Sequence, residues 1–291
     1  MKLAALAFAL LVVAPGCSKK AAEHGAPAGS AATAGSGAGS GSAAGSGSGA
    51  AAAVVVPPYT PAPEVPEPIK AAIAAPDRTE ADRALDAGRK PGETLAFFQI
   101  APGQKIGELF AGGGYTTELL ARVVGDGGKV YAQNTKEIMD KFARKPWSER
   151  AAKPVMKNVV GVELPTDAPF PPEAKDLDAV ITILNYHDFV WQKTDMAKMN
   201  AAVFAALKPG GVYGIVDSSA AAGSGVRDVE TLHRIDEDVV KQQVLAAGFV
   251  LDGESELLRN PADARDWNSS PKAAGARRGT SDRFVLRFVK K

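Results

Sequence analysis

A group of polar side chains, Asn185, Tyr186, His187 and Asp188, directly follows the apolar run LDAVITIL at residues 177–184. Imidazole has a pKa near neutrality, so His187 is suited to accept a proton from a reacting group, with Asp188 or a neighbour orienting its ring. The alternative is that Tyr186 and His187 only cap the strand or bond the backbone. The pattern indicates a candidate general base at the end of a strand.

Three consecutive glycines, Gly112, Gly113 and Gly114, separate the apolar run KIGELF from a helical pattern that begins at Tyr115. Glycine has no Cβ, so it lets the backbone approach a ligand closely and adopts positive φ without strain. In a doubly wound sheet the first strand-to-helix turn lies next to the ligand. The stretch therefore predicts either a ligand-binding turn or a purely structural tight turn.

The chemistry-bearing residues require a scaffold, and apolar periodicity predicts one. Seven short apolar runs predict β-strands, at residues 105–110, 129–133, 158–164, 177–184, 211–217, 249–255 and 283–289. Helical patterns lie between most of them, at residues 115–124, 194–207 and 236–247. Near-continuous apolar strands that alternate with helices predict a parallel sheet covered on both faces. Because no clear helix joins the last two strands, we expect that pair to be antiparallel.

Two kinds of nucleotide-binding sheet carry glycines at this turn. A dinucleotide fold uses Gly-x-Gly-x-x-Gly, but here the third glycine position is Thr117. The segment ELFAGGGY instead resembles the acidic residue and glycine loop of class I S-adenosylmethionine-dependent methyltransferases. The segments ALKPGGVYGIVD (206–217) and VKQQVLAAGFVL (240–251) are similar to later blocks of that superfamily, in the same order.

This resemblance implies an enzyme with S-adenosylmethionine as its cofactor. It implies an α/β, Rossmann-like seven-stranded sheet, mostly parallel with an antiparallel last strand and helices on both faces. Longer segments, among them RALDAGRKPGETLAFF, ILNYHDF and LHRIDEDVV, resemble a bacterial group of predicted, often exported methyltransferases. The resemblance covers essentially all of the folded region and implies no particular methyl acceptor.

The resemblance assigns eight cofactor-binding positions: Glu108, Phe110, Gly112, Gly113, Gly114, Asn134, Asp167 and Asn185. Two of them depart from the usual pattern. Phe110 replaces the first glycine of the loop, and Asn134 stands where an acid normally holds both ribose hydroxyls. An amide can accept and donate hydrogen bonds but lacks the charge that strengthens them, so we expect weaker ribose binding. For Asp167, a neighbour of the adenine and a solvated turn residue are both compatible with its position.

Methyl transfer needs little covalent help from the protein because the sulfonium of the cofactor is already activated. Catalysis is mainly the positioning of a nucleophile, with removal of its proton where it has one. The resemblance places this step at the end of the fourth strand. We therefore predict that His187, Tyr186 and Asp188 are the catalytic residues, and that His233 faces the same opening or begins a surface helix.

The sequence predicts no metal site. Its three histidines are His24, His187 and His233, and it contains a single cysteine. A structural zinc site requires about four such ligands. A divalent ion held by Asp188, Asp217 and a third acid has no further support in the sequence.

The N-terminal segment MKLAALAFALLVVAPGCSKK has one lysine before an apolar run that is too short to span a bilayer. It resembles a bacterial lipoprotein signal over residues 1–16, with Cys17 as the lipidated residue. Residues 17–76 are rich in Gly, Ser, Ala and Pro and predict a disordered tether, followed by a single methyltransferase-like domain over residues 77–291. We expect a lipid anchor, with the protein on the outer membrane facing the periplasm.

The charge balance, 34 Lys and Arg against 33 Asp and Glu, gives no field that would attract nucleic acid, so no nucleic-acid partner is predicted. The sequence does not indicate an oligomeric state. S-adenosylmethionine is made in the cytoplasm, so an exported protein would meet little of it. Three hypotheses stay open: an active methyltransferase with an unknown acceptor, a non-catalytic envelope binding module that retains the fold, and an interaction domain with a vestigial pocket.

Overall fold

Residues 59–291 are described by the structure, which is a computed structural model. The predicted signal segment, Cys17 and the first part of the predicted tether lie outside the described residues. Within residues 59–291, no helix combines the length and the apolar character that crossing a membrane would require.

Seven strands form one sheet: β1 (Lys105–Leu109), β2 (Lys129–Asn134), β3 (Val159–Glu163), β4 (Leu177–Ile183), β5 (Leu207–Ser218), β6 (Val250–Ser255) and β7 (Arg283–Val289). The strand order is β3-β2-β1-β4-β5-β7-β6. All neighbouring pairs from β3 to β5 are parallel, and β7 runs antiparallel to both β5 and β6. The predicted seven strands and the antiparallel final pair are confirmed.

The helices are α1 (Glu67–Ala74), α2 (Glu80–Arg89), α3 (Pro91–Phe97), α4 (Tyr115–Val124), α5 (Lys136–Ile138), α6 (Arg144–Ala151), α7 (Tyr186–Trp191), α8 (Met196–Ala206), α9 (Glu237–Ala246) and α10 (Pro271–Ala274). A π-helical turn, Met139–Ala143, joins α5 to α6. The predicted helices at 115–124, 194–207 and 236–247 correspond to α4, α8 and α9. The sequence patterns did not predict α1, α2, α3, α6 or α7.

The core lies on both faces of the sheet because successive side chains of a strand point to opposite faces. In β4, for example, Val180 packs on one face and Ile181 on the other. Apolar residues of α7, α8 and α9 cover the first face. Those of α1, α3 and α4 cover the second. Helices therefore cover both faces, as predicted.

The ordered domain begins earlier than the predicted boundary at residue 77. Helix α1 lies inside the segment predicted to be tether, and its Ile69 is fully buried against the sheet-covering helices. The hydroxyl of Tyr59 accepts a hydrogen bond from the Gly92 backbone amide (2.9 Å). The carboxylate of Glu93 accepts one from the Ala62 amide (2.9 Å). These contacts show that residues 59–76 belong to the domain. The segment can form a helix that packs on the domain because the apolar positions of α1 recur at helical spacing.

The strand order reverses between β1 and β4, which lie side by side while their connections lead to opposite ends of the sheet. Ligands of such sheets bind at the carboxyl ends of the strands at this switch point. The glycine turn after β1 and the polar group after β4 are at this edge. The fold therefore brings the two sequence features that carry chemistry to the same edge of the sheet.

Candidate active site

The turn after β1 has an unusual backbone. Phe110, Gly112 and Gly114 all have positive φ, at 51°, 57° and 82°. A Cβ on Gly114 would lie 2.8 Å from Cδ of Arg150, whereas a Cβ on Gly112 would meet no atom within 4 Å. Packing therefore requires glycine at 114. At Gly112 the backbone conformation favours glycine, and the open space leaves room for a ligand to approach the main chain.

The amide of Asn134 at the end of β2 closes on this turn. Its Oδ1 accepts a hydrogen bond from the Gly112 amide (2.8 Å), and its Nδ2 donates to the Gly112 carbonyl (3.2 Å). The neighbouring Gln133 accepts from the Phe110 amide through its side chain (3.2 Å). Asn134 is buried. In the structure the partner of Asn134 is the glycine turn itself, because an amide matches one backbone N–H and one C=O. Its contact with a ribose stays a prediction.

Phe110, which stands at the first glycine position of the usual loop, is buried rather than laid across the turn. Its ring packs edge-on against Phe189 of α7, with the ring centres 4.6 Å apart. The positive φ of Phe110 turns the side chain toward the core. Its carbonyl accepts a hydrogen bond from Nδ2 of Asn185 (3.1 Å), which also donates to the Ile183 carbonyl (2.9 Å). Asn185 thereby ties the end of β4 to the glycine turn.

Helix α7 starts immediately after β4 and positions His187 in its first turn. The backbone amide of His187 donates to Oδ2 of Asp217 (2.7 Å), and its Nδ1 lies 2.8 Å from Oδ1 of the same carboxylate. Asp217 is fully buried near the end of β5. Since a carboxylate accepts only, Nδ1 of His187 carries the proton and Nε2 is the atom that can react.

Two further groups face Nε2 of His187. Nδ1 of His233 lies 3.2 Å away, and Oδ1 of Asp188 lies 3.4 Å away. Oδ1 of Asp188 is also 3.5 Å from Nδ1 of His233. We call His187, Asp188 and His233 the histidine cluster. Burial disfavours the charged imidazole of His187, but the Asp217 carboxylate outweighs it and raises the pKa of His187 above its ordinary value.

The loop after β5 places His233 in the cluster. Its backbone has a positive φ of 50°, and its carbonyl accepts a hydrogen bond from the Ser269 hydroxyl (2.6 Å). The next residue, Arg234, is fully buried and forms an ion pair with Asp263 (2.8 Å). The guanidinium of Arg234 also lies over the ring of Trp267. The long polar loop between β6 and β7 therefore holds His233 in place.

Comparisons with known proteins bear on this arrangement. No family model matches the chain. The protein-L-isoaspartate O-methyltransferase of Aeropyrum pernix is 34% identical over 82 residues, which are 27% of this chain and 32% of that protein. The match thus spans about a third of the length of that curated relative. A solved S-adenosylmethionine-dependent methyltransferase from Aquifex aeolicus has a TM-score of 0.53, with 18% identity over 73% of this chain and 96% of its own.

The chain has the class I methyltransferase fold. At this level of identity the likeness concerns the fold, and it agrees with the seven-stranded sheet and its antiparallel last strand. In this methyltransferase fold the glycine turn after β1 and the histidine cluster after β4 and β5 share the carboxyl edge of the sheet. We therefore take that edge as the candidate active site.

The side chains of two predicted site residues make no hydrogen bond to the histidine cluster. Tyr186 is fully buried, and its hydroxyl accepts from Asn200 (3.0 Å) and donates to Gln243 (3.1 Å). It joins three helices of the core, so its predicted catalytic role is not supported by its position. Asp167 is exposed in the loop after β3, and its side chain makes no hydrogen bond within the described residues.

Glu108 is buried beneath the glycine turn. Its Oε2 accepts a hydrogen bond from the Thr117 hydroxyl (2.5 Å). Burial raises the pKa of Glu108 to about 7, although this hydrogen bond and the charges of Arg89 and Arg150 act in the opposite direction. The carboxyl group of Glu108, which was predicted to bind the cofactor, therefore contacts the first turn of α4 through Thr117.

Helix α6 covers the glycine turn in a way that the sequence patterns did not predict. Nε of Arg150 donates to the Gly113 carbonyl (2.7 Å), and both terminal nitrogens bind the Asp82 carboxylate (2.8 and 2.9 Å). Arg150 also pairs with Glu118 of α4. A bidentate Arg–carboxylate pair in a buried position restricts the geometry of both partners. Arg150 thus connects the turn to α2 and α4.

Proposed function

We propose that the protein transfers a methyl group from S-adenosylmethionine to an acceptor that has an ionisable proton. The observation that carries the proposal is the open space over Gly112 at the same edge of a class I methyltransferase sheet as the histidine cluster. The acceptor itself is not identified by the site. A hydroxyl, a thiol and an ammonium group would all meet the chemical requirement.

The described residues fit the cofactor in part. Gly112 offers backbone without a side chain, Asn185 lies between the ends of β1 and β4, and Asp167 is free of internal hydrogen bonds among the described residues. These are the residues that would hold the methionine and adenosine parts. Asn134 fits less well because Gly112 already engages its amide. We therefore expect weaker affinity than an acidic residue at 134 would give.

His187 would take the proton of the acceptor. Asp217 keeps the proton on Nδ1, so the Nε2 lone pair is directed into the site. Nε2 would receive the proton that the acceptor loses as it is methylated, and the cofactor would leave as its neutral thioether. Asp188 and the Asp217 carboxylate would stabilise the imidazolium that results. When bound, the cofactor supplies the electrophilic methyl group.

Calorimetric titration of S-adenosylmethionine into the full chain tests the proposal, with S-adenosylhomocysteine and NAD as comparisons. Micromolar binding of either adenosyl ligand, on the order of −8 kcal/mol, would support it. Gly112→Val should abolish this binding, while Gly210→Val is a matched control at another turn glycine with positive φ and open space. No binding to folded wild-type protein, or equal binding by both variants, would contradict the proposal.

A second candidate function is a binding module that retains the fold without catalysis. The specific observation in its favour is at position 134, where the residue is an amide and not an acid. The side chain of Asn134 is moreover already bonded to Gly112. On this hypothesis the site would take another small ligand. Binding of adenosyl ligands together with wild-type stability and affinity in His187→Gln would not separate the two. Turnover, measured as release of S-adenosylhomocysteine, separates the two functions, because only the methyltransferase would release it.

We also propose that the protein is anchored to a bacterial membrane through a lipid on Cys17, at the outer membrane facing the periplasm. The support is the apolar run and the position of the cysteine in the sequence. Cys17→Ala should move the protein from the membrane fraction to the soluble fraction. Unchanged fractionation would contradict the anchor, and it would leave the methyltransferase proposal untouched.

A further inference from the structure

The three reactive atoms of the histidine cluster form a nearly equilateral triangle. Nε2 of His187, Nδ1 of His233 and Oδ1 of Asp188 are separated by 3.2, 3.4 and 3.5 Å. His187 and Asp188 come from the first turn of α7, and His233 comes from the loop after β5. The three atoms are the group within residues 59–291 whose geometry could hold a metal ion.

The two separations to Asp188 match a coordination sphere better than hydrogen bonds, and the 3.2 Å between the two imidazole nitrogens is compatible with either. Four ligands at about 2.0–2.1 Å from a tetrahedral zinc ion lie about 3.3–3.4 Å from each other, from the tetrahedral angle. Oδ1 of Asp188 is too far from either nitrogen for a good hydrogen bond, whose N···O distance is about 2.7–3.2 Å. It is nevertheless almost equidistant from both nitrogens. Three potential ligand atoms therefore lie at the mutual spacing that a common ion requires.

The surroundings of His187 match the outer shell of a metal ligand. A metal-binding imidazole usually donates its other ring N–H to a carboxylate, which fixes the tautomer and the ring orientation. Nδ1 of His187 makes this contact with Asp217 at 2.8 Å, and the backbone amide of His187 binds the second oxygen at 2.7 Å. Asp217 is fully buried, so its position is restricted. The Nε2 lone pair is thereby directed at the centre of the triangle.

The charge and the donor set also suit a divalent ion. Two neutral imidazoles bring no charge, and Asp188 with Asp217 brings two negative charges, which would balance a dication. Two imidazole nitrogens and one carboxylate oxygen are typical ligands of zinc and its first-row neighbours, whereas calcium and magnesium take oxygen. Asp188 and His233 keep about a fifth of their side-chain surface exposed, so an ion could enter from solvent.

We propose that His187, Asp188 and His233 bind a divalent transition-metal ion of the zinc type, with one coordination position left open. This differs from the sequence-based expectation of no metal, which followed from counting histidines without their positions. An ion with three protein ligands and an open position is the arrangement of catalytic rather than structural zinc sites. The binding itself does not depend on the proposed methyltransferase activity.

The role of the ion rests on the proposed function. An acceptor hydroxyl or thiol in the open position would have a lowered pKa and lose its proton to solvent before it attacks the methyl group. Nε2 of His187 would then be a ligand, and the metal would replace it in activating the acceptor. Oxygen or sulfur acceptors are therefore favoured over ammonium groups, which have no lone pair to offer a metal.

Cobalt titration of the full chain tests the site. Protein freed of metal with a chelator is titrated with Co²⁺, and the visible absorption of the bound ion is followed without S-adenosylmethionine. We expect saturation at one ion per chain, with Zn²⁺ displacing the cobalt signal. His233→Ala and Asp188→Ala remove partly exposed ligands and should abolish the signal, with folding checked by circular dichroism.

Two more variants separate the site from chance binding. Asp217→Asn replaces the charged acceptor of His187 Nδ1 without touching the three proposed ligands and should weaken affinity by about 10–100-fold. His24→Ala and Cys17→Ala remove the remaining histidine and the one cysteine of the chain and should leave the titration unchanged. Binding that does not saturate, or equal affinity in folded His233→Ala and wild type, would overturn the metal site.

The outcome is distinguishable from failure of the methyltransferase proposal. Cobalt binding with no adenosyl-ligand binding would retain the metal site and reject the proposed cofactor. Adenosyl-ligand binding with no cobalt binding would do the reverse and leave His187 as a proton acceptor. Each titration is carried out without the other ligand, so neither result depends on turnover.

Discussion

Replacement of Glu108 by glutamine is expected to stabilise the protein above neutral pH. Glu108 is buried, and its pKa is raised from 4.5 to about 7 because burial disfavours its charged form. Glutamine has the same shape and can still accept the hydrogen bond from the Thr117 hydroxyl. The variant therefore has no ionisable group at position 108 but keeps the hydrogen bond with Thr117.

The size and sign of the effect follow from the two pKa values. Between pH 4.5 and about 7 the folded protein holds a proton that the unfolded chain releases, so the free energy of unfolding falls as pH rises. The stabilising contribution is complete below the unfolded pKa and is lost as pH rises through the folded pKa. A difference of about 2.5 units corresponds to about 3 kcal/mol. The advantage of Glu108→Gln over wild type should grow by that amount across this range.

Urea unfolding of both proteins at several pH values measures the difference, because each midpoint and slope give a free energy of unfolding. Glu118 provides a control of opposite sign. Burial alone would raise its pKa, but hydrogen bonds from Lys153, Arg122 and Arg150 outweigh it and lower the pKa of Glu118. Glu118→Gln should therefore lose stability at neutral pH. A flat difference between Glu108→Gln and wild type across the range would refute the reasoning.

Three further predictions concern the glycine turn, the core and α6. Gly114→Ala should lower the thermal midpoint more than Gly112→Ala, because a methyl group at 114 meets Arg150 while one at 112 meets open space; equal shifts in thermal melts would contradict this. Tyr186→Phe should cost about 1–3 kcal/mol in urea unfolding, since the buried amide of Asn200 and the partly buried amide of Gln243 lose a partner, yet leave ligand titrations unchanged. Loss of ligand binding would return this side chain to the site. Arg150→Met should cost about 3–5 kcal/mol because it leaves the buried carboxylate of Asp82 without its ion-pair partner and removes one of the three cations around Glu118; a loss no greater than that of Lys157→Met, from an exposed ion pair, would disprove it.

The sheet could be predicted from the sequence because its signals are local. Apolar runs such as those of β1 and β4 are buried on both faces and bounded by turn residues, so each strand is visible in a window of a few residues. The glycine turn was visible for the same reason. Helix α1 was missed because its three buried positions lie in a segment whose composition is typical of a linker. Burial of α1 depends on its contact with α4, which composition does not report.

The sequence by itself determined which residue types stand at the strand ends, and hence that the carboxyl edge of the sheet holds glycines, amides, imidazoles and carboxylates. Only the tertiary structure decided which of them meet. Asn134 turned out to bind Gly112, and Tyr186 faces the core although His187 beside it faces the site. His187 and His233 are separated by 46 positions, and they meet because β4 and β5 are adjacent and residue 233 has positive φ. Side-chain direction and long-range register are set by packing across the whole sheet, so no local pattern contains them.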